Sequence, residues 1–238
     1  MRPIVLIPVY NNAATVGGVV RGCLAVIPDV VAIADGSTDG SDEAARAAGA
    51  KVERIAINSG KGAAIRRGLE VAHGAGYTHA VVIDADGQHP PEEIRRLLAV
   101  AAEDEARIWI GVRRMRVDGT PAASRRGRAI SNFWATLNGW QRCRDVQSGL
   151  RVYPVEAVRA LRCDEPRFAF EMEVLVRASW AGMRLGHIEV DVHYPPPEER
   201  VTHFDMRRDN LRFTWLSFKL FWGMVARIPL LIWRRTAT

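Results

Sequence analysis

Short apolar runs rich in β-branched residues alternate with helical patterns through the first half of this 238-residue chain, and that alternation constrains the fold more than any other feature. Ile4 to Pro8, Val30 to Ala34, Val52 to Ala56, Ala80 to Ile83 and Arg107 to Gly111 read as buried strands. Between them, Ala14 to Ile27, Ser41 to Ala48, Gly62 to Ala75 and the stretch opened by Pro90-Pro91-Glu92-Glu93 read as helices, the last with prolines and acids where a helix start accepts them. The expected class is α/β: a Rossmann-like, mostly parallel sheet flanked by helices. A 48% hydrophobic content in a chain of this length suffices for a sizeable core. Beyond Gly119-Thr120-Pro121 the regularity weakens. Ser124 to Leu137 and Phe170 to Trp180 look helical, Leu185 to His193 looks extended, and Pro195-Pro196-Pro197 ends regular structure. No repeat, low-complexity tract or boundary interrupts the chain before about residue 205, so residues 1–205 are expected to form one unit and 206–238 a separate C-terminal segment.

The net charge of +6 is carried mainly by arginine, concentrated from Arg107 to Arg128 and from Arg207 to Arg235. Such asymmetry points to anionic partners: phosphates, nucleic acid or a membrane surface. Nucleic acid fits poorly, because no aromatic stacking platform is interleaved with the arginines. Cys23, Cys143 and Cys163 are too scattered for a disulfide framework or a zinc site. Cys143 lies between Arg142 and Arg144, but no histidine-based triad surrounds it, so it reads as an ordinary thiol. The N-terminus leads directly into a strand without a signal pattern, and the expected location is cytoplasmic.

Chemistry concentrates at strand ends. Asp84-Ala85-Asp86-Gly87-Gln88 follows Val81-Val82-Ile83, so two carboxylates emerge where open α/β sheets bind ligands. Two acids and an amide oxygen are hard donors suited to Mg²⁺ or Mn²⁺, and such a cation commonly completes its shell with substrate phosphates. A polar turn closing a strand is the plainer alternative. Pro8-Val9-Tyr10-Asn11 ends the first strand, and Asp35-Gly36-Ser37-Thr38-Asp39-Gly40 the second. Asp35 is positioned for a base or ribose, whereas Asp39 is better explained as a helix cap. Gly60-Lys61-Gly62 opens a helix, where backbone N–H groups and an ammonium can converge on phosphate.

The order of these motifs resembles the family 2 glycosyltransferases, which have the GT-A fold. Within that family the resemblance is closest to dolichyl- and polyprenyl-phosphate sugar synthases. It rests on Gly60-Lys61-Gly62-Ala63-Ala64-Ile65-Arg66-Arg67-Gly68, on Asp84-Ala85-Asp86-Gly87-Gln88-His89-Pro90, and on Asp145-Val146-Gln147-Ser148-Gly149-Leu150-Arg151, which is similar to the acceptor-side loop. It spans about residues 3 to 195. The resemblance implies that Pro8, Tyr10, Asn11, Asp35, Lys61 and Asp84 bind the nucleotide sugar, and that Asp84, Asp86 and Gln88 hold the metal. Asp86, Asp145, Arg113 and Arg126 (or Arg125 in place of Arg126) would carry catalysis, with Gln147, Ser148 and Arg151 on the acceptor side. Asn12 and Ala34 depart from the family pattern, which usually has acids at both places.

The implied reaction is an inverting transfer from a nucleotide-diphosphate sugar to a lipid-linked acceptor, in the first place a polyprenyl phosphate. A lipid phosphate is already an anionic nucleophile, held by arginines. A hydroxyl acceptor would require a general base, for which Asp145 is the candidate, with Glu171 and Glu173 behind it. His203 is either a surface histidine or a contact to donor phosphate. A binding protein without catalysis and a nucleotidyltransferase are the remaining alternatives. At 100° per residue, Arg208, Arg212, Lys219, Arg227 and Arg234 share one stripe of an otherwise apolar C-terminal segment. Lys219 and Arg227 would be costly inside a bilayer. An in-plane amphipathic helix over about 208–235, on the inner face of the cell membrane, avoids that cost. Packing on the domain or on a partner subunit is the alternative.

Overall fold

The structure, a computed structural model, describes residues 1–114, 122–194 and 208–229. Seven strands form one sheet: β1 (Pro3–Val9), β2 (Val30–Asp35), β3 (Lys51–Ile55), β4 (His79–Val82), β5 (Ile108–Arg113), β6 (Arg151–Pro154) and β7 (Leu185–Val190), in the order β3-β2-β1-β4-β6-β5-β7. Every pairing is parallel except those of β6, which runs antiparallel to both β4 and β5. The helices are α1 (Ala13–Leu24), α2 (Ser41–Ala47), α3 (Lys61–Gly74), α4 (Glu93–Glu103), α5 (Ala122–Gly139), α6 (Val155–Ala160), α7 (Phe170–Trp180) and α8 (Arg208–Val225). This is the α/β, mostly parallel, helix-flanked architecture expected from the alternation.

Period-two alternation in β1 divides the core. Ile4 and Leu6 face one cluster with α3, α7 and part of α8, while Val5, Ile7 and Val9 face the other with α1 and α4. The chain runs outward from β1 to β3 and then returns to β4 on the other side of β1. That reversal opens a crevice beyond the carboxyl ends of β1 and β4. The register sets Pro8 beside Ile33 and Leu6 beside Val82, so the segments after β1, β2 and β4 emerge together.

The β6–α6 unit has no clear sequence signal, because β6 is only four residues long and begins with a charged one. Arg151 is 1% exposed. Its guanidinium donates to the carbonyls of Ser148 (3.0 Å), Glu171 (3.1 Å) and Val146 and to Tyr153 Oη (3.1 Å). Burying a charge is tolerated only when its donors are satisfied in this way. Arg151 thus ties the loop before β6 to the start of α7. It does not stand on an acceptor surface, as its place in the motif suggested.

α8 turns Leu216, Leu220 and Met224 inward and touches α5 and α7. Asn138 Nδ2 donates to the Ser217 carbonyl at 3.3 Å, and Arg227 lies 4.5 Å from the Trp180 ring centre. No helix among the described residues is long and apolar enough to cross a membrane. His203 and Arg234 lie outside the described residues.

Replacing Arg151 with Met strands three buried carbonyls. The expected loss is about 3 kcal/mol, seen as a fall of about 5–10 °C in Tm. An unchanged thermal transition would show that these bonds are not needed.

Candidate functional site

Asp84 follows β4 directly, and its carboxylate is gripped from one side. Lys61 Nζ lies 2.7 Å from Asp84 Oδ1 and 2.9 Å from Oδ2, and the same ammonium bonds Glu171 Oε1 at 2.7 Å. The backbone of Gly149 also presses on this carboxylate: a Cβ there would collide with Asp84 Oδ2. Burial alone would push the Asp84 carboxyl up, but the Lys61 charge holds it below the usual carboxylate range. Asp86 differs. Burial, reinforced by the neighbouring Asp84 charge, pushes it up to about 6. Its Oδ1 accepts the Gln88 N–H at 2.9 Å, a local bond that shapes the turn. The turn is held at both ends, by Thr15 Oγ1 donating to the Ala85 carbonyl (2.7 Å) and by the His193 N–H donating to the Gln88 carbonyl (2.8 Å).

No group of three or more His, Cys, Asp or Glu side chains is arranged for a metal among the described residues. Two carboxylates with the half-buried Gln88 amide nevertheless suit Mg²⁺ or Mn²⁺, which bind through one or two protein carboxylates and draw other ligands from water and phosphate. The raised Asp86 carboxyl has the same implication, because a buried acid beside a like charge gains most from a bound cation.

A cleft of about 180 Å³ opens beside these acids. Pro8, Tyr10, Asp35, Lys61, Asp84 and Asp86 line it, whereas Asn11, expected beside Tyr10, does not. Asn12, Asn58, Arg167 and Phe168 line it too, and the last three were not anticipated. Arg167 and Phe168 lie in an irregular stretch before α7 and reach the cleft because that stretch packs on Gly60. A Cβ at Gly60 would fall 2.6 Å from the Pro166 carbonyl oxygen. No local pattern in the sequence marks that approach.

Several predicted contact residues are occupied by the protein itself. Asp35 is 2% exposed, and its oxygens accept the N–H groups of Ser59 (2.8 Å) and Gly60 (2.6 Å). It fixes the approach to α3. At the α3 start the Ala63 N–H donates to the Pro166 carbonyl at 2.9 Å, and the Lys61 ammonium is committed to two carboxylates. Asn11, at φ +50°, donates from its backbone to Ser37 Oγ (3.2 Å) and accepts from the Thr38 N–H (2.9 Å), which places it between two loops. Asp39 accepts from the N–H groups of Ser41 and Ala13, both at 3.0 Å, and so ties the first residues of α2 and α1 together, while the N-cap position of α2 falls to Gly40 rather than to Asp39 as expected.

Arginines gather on the other side of the acids. Arg113 donates to Asp145 through Nε and Nη2, both at 2.9 Å, and Arg128 Nη1 reaches Asp145 Oδ2 at 3.3 Å. Asp145 is fully buried, and although burial opposes its charge, the Arg113 bonds and the Arg128 charge hold its carboxyl below the usual range. A carboxylate held this way orients both arginines. On α5 Arg128 reaches this cluster, whereas Arg126 is exposed. The periodicity explains the difference, since residues two apart face different sides of a helix. Arg113 is close enough for its charge to act on Asp86 and His89. Ser148 is buried and receives the Leu150 N–H (3.3 Å), while exposed Gln147 leans towards Gly127 of α5.

Both backup bases are engaged, Glu171 by Lys61 and Glu173 by Arg177 (2.8 Å) and by the N–H groups of Asp164 and Glu165. Cys143 is buried, which pushes its thiol up to about 12 and suits an ordinary core residue.

Three comparisons bear on this arrangement. Residues 4–162 match the family described as Glycosyl transferase family 2. The sequence is 31% identical over 210 residues to glycosyltransferase AglJ of Haloferax volcanii, covering 87% of this chain and 67% of that protein. It is 29% identical over 248 residues to the polyprenol monophosphomannose synthase of Mycolicibacterium smegmatis, covering 95% and 89%. Among solved structures, glucosyl-3-phosphoglycerate synthase from Mycobacterium tuberculosis in complex with Mn²⁺, UDP-glucose and phosphoglyceric acid superposes with a TM-score of 0.70 at 17% identity, covering 93% of this chain and 79% of that one. The GT-A fold implied by the motif order is thereby shown.

The raised Asp86 carboxyl carries a stability consequence. Its ionised form is disfavoured in the folded state, so stability is lost as pH rises from the unfolded value near 4 through about 6. In metal-free protein, Asp86→Asn should raise Tm at pH 7.5 by about 2–4 °C, and the gain should vanish below about pH 4, where both residues are neutral. Thermal scans across pH test this, and a gain independent of pH would refute it.

Proposed function

Because this chain belongs to glycosyl transferase family 2, as the match over residues 4–162 shows, we propose that it transfers a sugar, with inversion, from a nucleotide-diphosphate sugar to a polyprenyl phosphate. The observation that carries this reading is the Arg113–Asp145–Arg128 cluster beside the Asp84–Asp86 pair. A hydroxyl acceptor would need a base, and Asp145 is locked between two guanidinium groups. A phosphate acceptor needs no base and is well matched by arginines aimed from behind. Arg113 and Arg128 keep 12% and 21% of their side chains exposed, leaving N–H groups for an anion. Relatives support the acceptor class, since one of them is named as a polyprenol monophosphomannose synthase.

Asp86, Asp84 and Gln88 would hold Mg²⁺ or Mn²⁺, the ion present with UDP-glucose in the solved relative. When bound there, the cation supplies neutralisation of charge on the departing nucleoside diphosphate. Pro8, Tyr10 and Phe168 would flank the nucleotide, with Arg167 at the rim. Arg113 and Arg128 would hold the acceptor phosphate so that one of its oxygens faces C1 of the sugar as the bond to the diphosphate breaks.

Residues 1–205 would then be the catalytic unit and 206–238 its contact with the inner face of the membrane. Leu211, Trp215, Phe218 and Trp222 recur at helical spacing on the outer side of α8, each more than half exposed. Trp215 and Phe218 stack at 6.1 Å, and exposed Arg212 and Lys219 lie beside the stripe. Ile130 and Phe133 on α5 are also exposed, within two turns of Arg128. An apolar stripe bordered by cations suits an anionic lipid surface, and it would bring the acceptor phosphate near the arginines.

Purified protein supplied with UDP- or GDP-sugars, a polyprenyl phosphate and Mn²⁺ or Mg²⁺ should yield a glycosylated lipid phosphate by mass spectrometry, and EDTA should abolish it. If no donor is consumed under any of these conditions, the reading fails. Arg128→Ala should raise the acceptor KM about 10- to 100-fold while leaving donor KM unchanged. Loss confined to the donor would remove Arg128 from the acceptor side.

Changing Trp215 and Trp222 together to Glu should cut binding to vesicles containing anionic lipid by at least about tenfold without lowering Tm. Unchanged sedimentation with vesicles would sink the membrane role.

A further inference from the structure

Lys61 has a place that the donor-site reading does not explain. Its ammonium is shared between Asp84 and Glu171 at 2.7 Å each, with 13% of the side chain exposed. It has little freedom to leave. Gly60 and Gly62 on either side lie so close to the 165–170 stretch that a Cβ would fall 2.6 Å and 2.5 Å from its atoms. Asp84 is pressed by Gly149, and the Glu171 carbonyl is bonded to Arg151.

The charges around this point balance. Asp84, Asp86, Glu171 and Asp145 are matched by Lys61, Arg113, Arg128 and Arg151. A divalent cation entering alone would leave an excess of two positive charges and would meet an ammonium already seated on Asp84. The diphosphate of a nucleotide sugar, with one negative charge on each phosphate, restores the balance when it arrives with the ion.

Resting on the metal–diphosphate reading above, we propose that Lys61 is a resident counter-cation that competes with the divalent ion for Asp84, so that metal is taken up together with the donor diphosphate and only weakly without it. Lys61 is in this view a positioning residue that keeps Asp84 ordered before the donor arrives.

Mn²⁺ binding by the full-length protein, followed by electron paramagnetic resonance with and without UDP or GDP, tests the proposal without recourse to activity. Wild-type protein should bind Mn²⁺ at least about tenfold more tightly when nucleotide is present, and Lys61→Met should bind Mn²⁺ alone at least about tenfold more tightly than wild type. Glu171→Gln gives the ammonium wholly to Asp84 and should weaken binding, a change of opposite sign that remains informative if Lys61→Met folds poorly. The double variant Lys61→Met/Glu171→Gln keeps the net charge of the pair and should still bind Mn²⁺ more tightly than wild type. Affinity equal to wild type in the double variant, or unchanged in Lys61→Met, overturns competition at Asp84. Wild-type protein that binds no Mn²⁺ even with nucleotide would instead overturn the metal–diphosphate reading itself.

Discussion

The ion pair array of Lys61 with Asp84 and Glu171 is the constraint on which the site depends. It joins the end of β4, the start of α3 and the start of α7, segments that are distant in the chain. Acids at the mouth of a buried crevice are unfavourable unless paired. Lys61 resolves this for Asp84 and Glu171 but not for Asp86, whose carboxyl is left raised by burial and by its neighbour. The two acids of one short motif therefore have different electrostatic states, one anchored by Lys61 and one with its carboxyl raised by burial.

The same division between scaffold and contact runs through the rest of the site. Asp145 aims Arg113 and Arg128, and Arg151 binds the adjoining loop to the start of α7 through carbonyls. Asp35 secures the Ser59–Gly60 turn, while Asn11 and Asp39 lace the loops after β1 and β2 together. Charged residues near a ligand crevice are thus spent largely on holding backbone in place. Asp86, Arg113 and Arg128 keep part of their side chains exposed, as do Asp84 and Lys61.

α8 combines two apolar faces. Leu216, Leu220 and Met224 belong to the core, so the helix is part of the folded unit, while Leu211, Trp215, Phe218 and Trp222 face outward. The basic stripe read from residue order identified an amphipathic segment, but helical phase alone does not reveal that a second apolar face is already covered by α5 and α7.

Much of this was legible in the sequence. The βα alternation, the strand-end acids and the order of the motifs determined the α/β class and the family, because periodicity and turn chemistry are local properties. Tertiary structure alone decided which charged groups face a ligand and which face the protein. It placed Arg128 against Asp145, committed Lys61 to carboxylates, turned Arg151 inward to support a strand without a pattern of its own, and brought Arg167 and Phe168 to the cleft. The reason is physical: a charged side chain takes its role from partners supplied by other elements, and those partners come within hydrogen-bonding distance only when the sheet and its helices have packed.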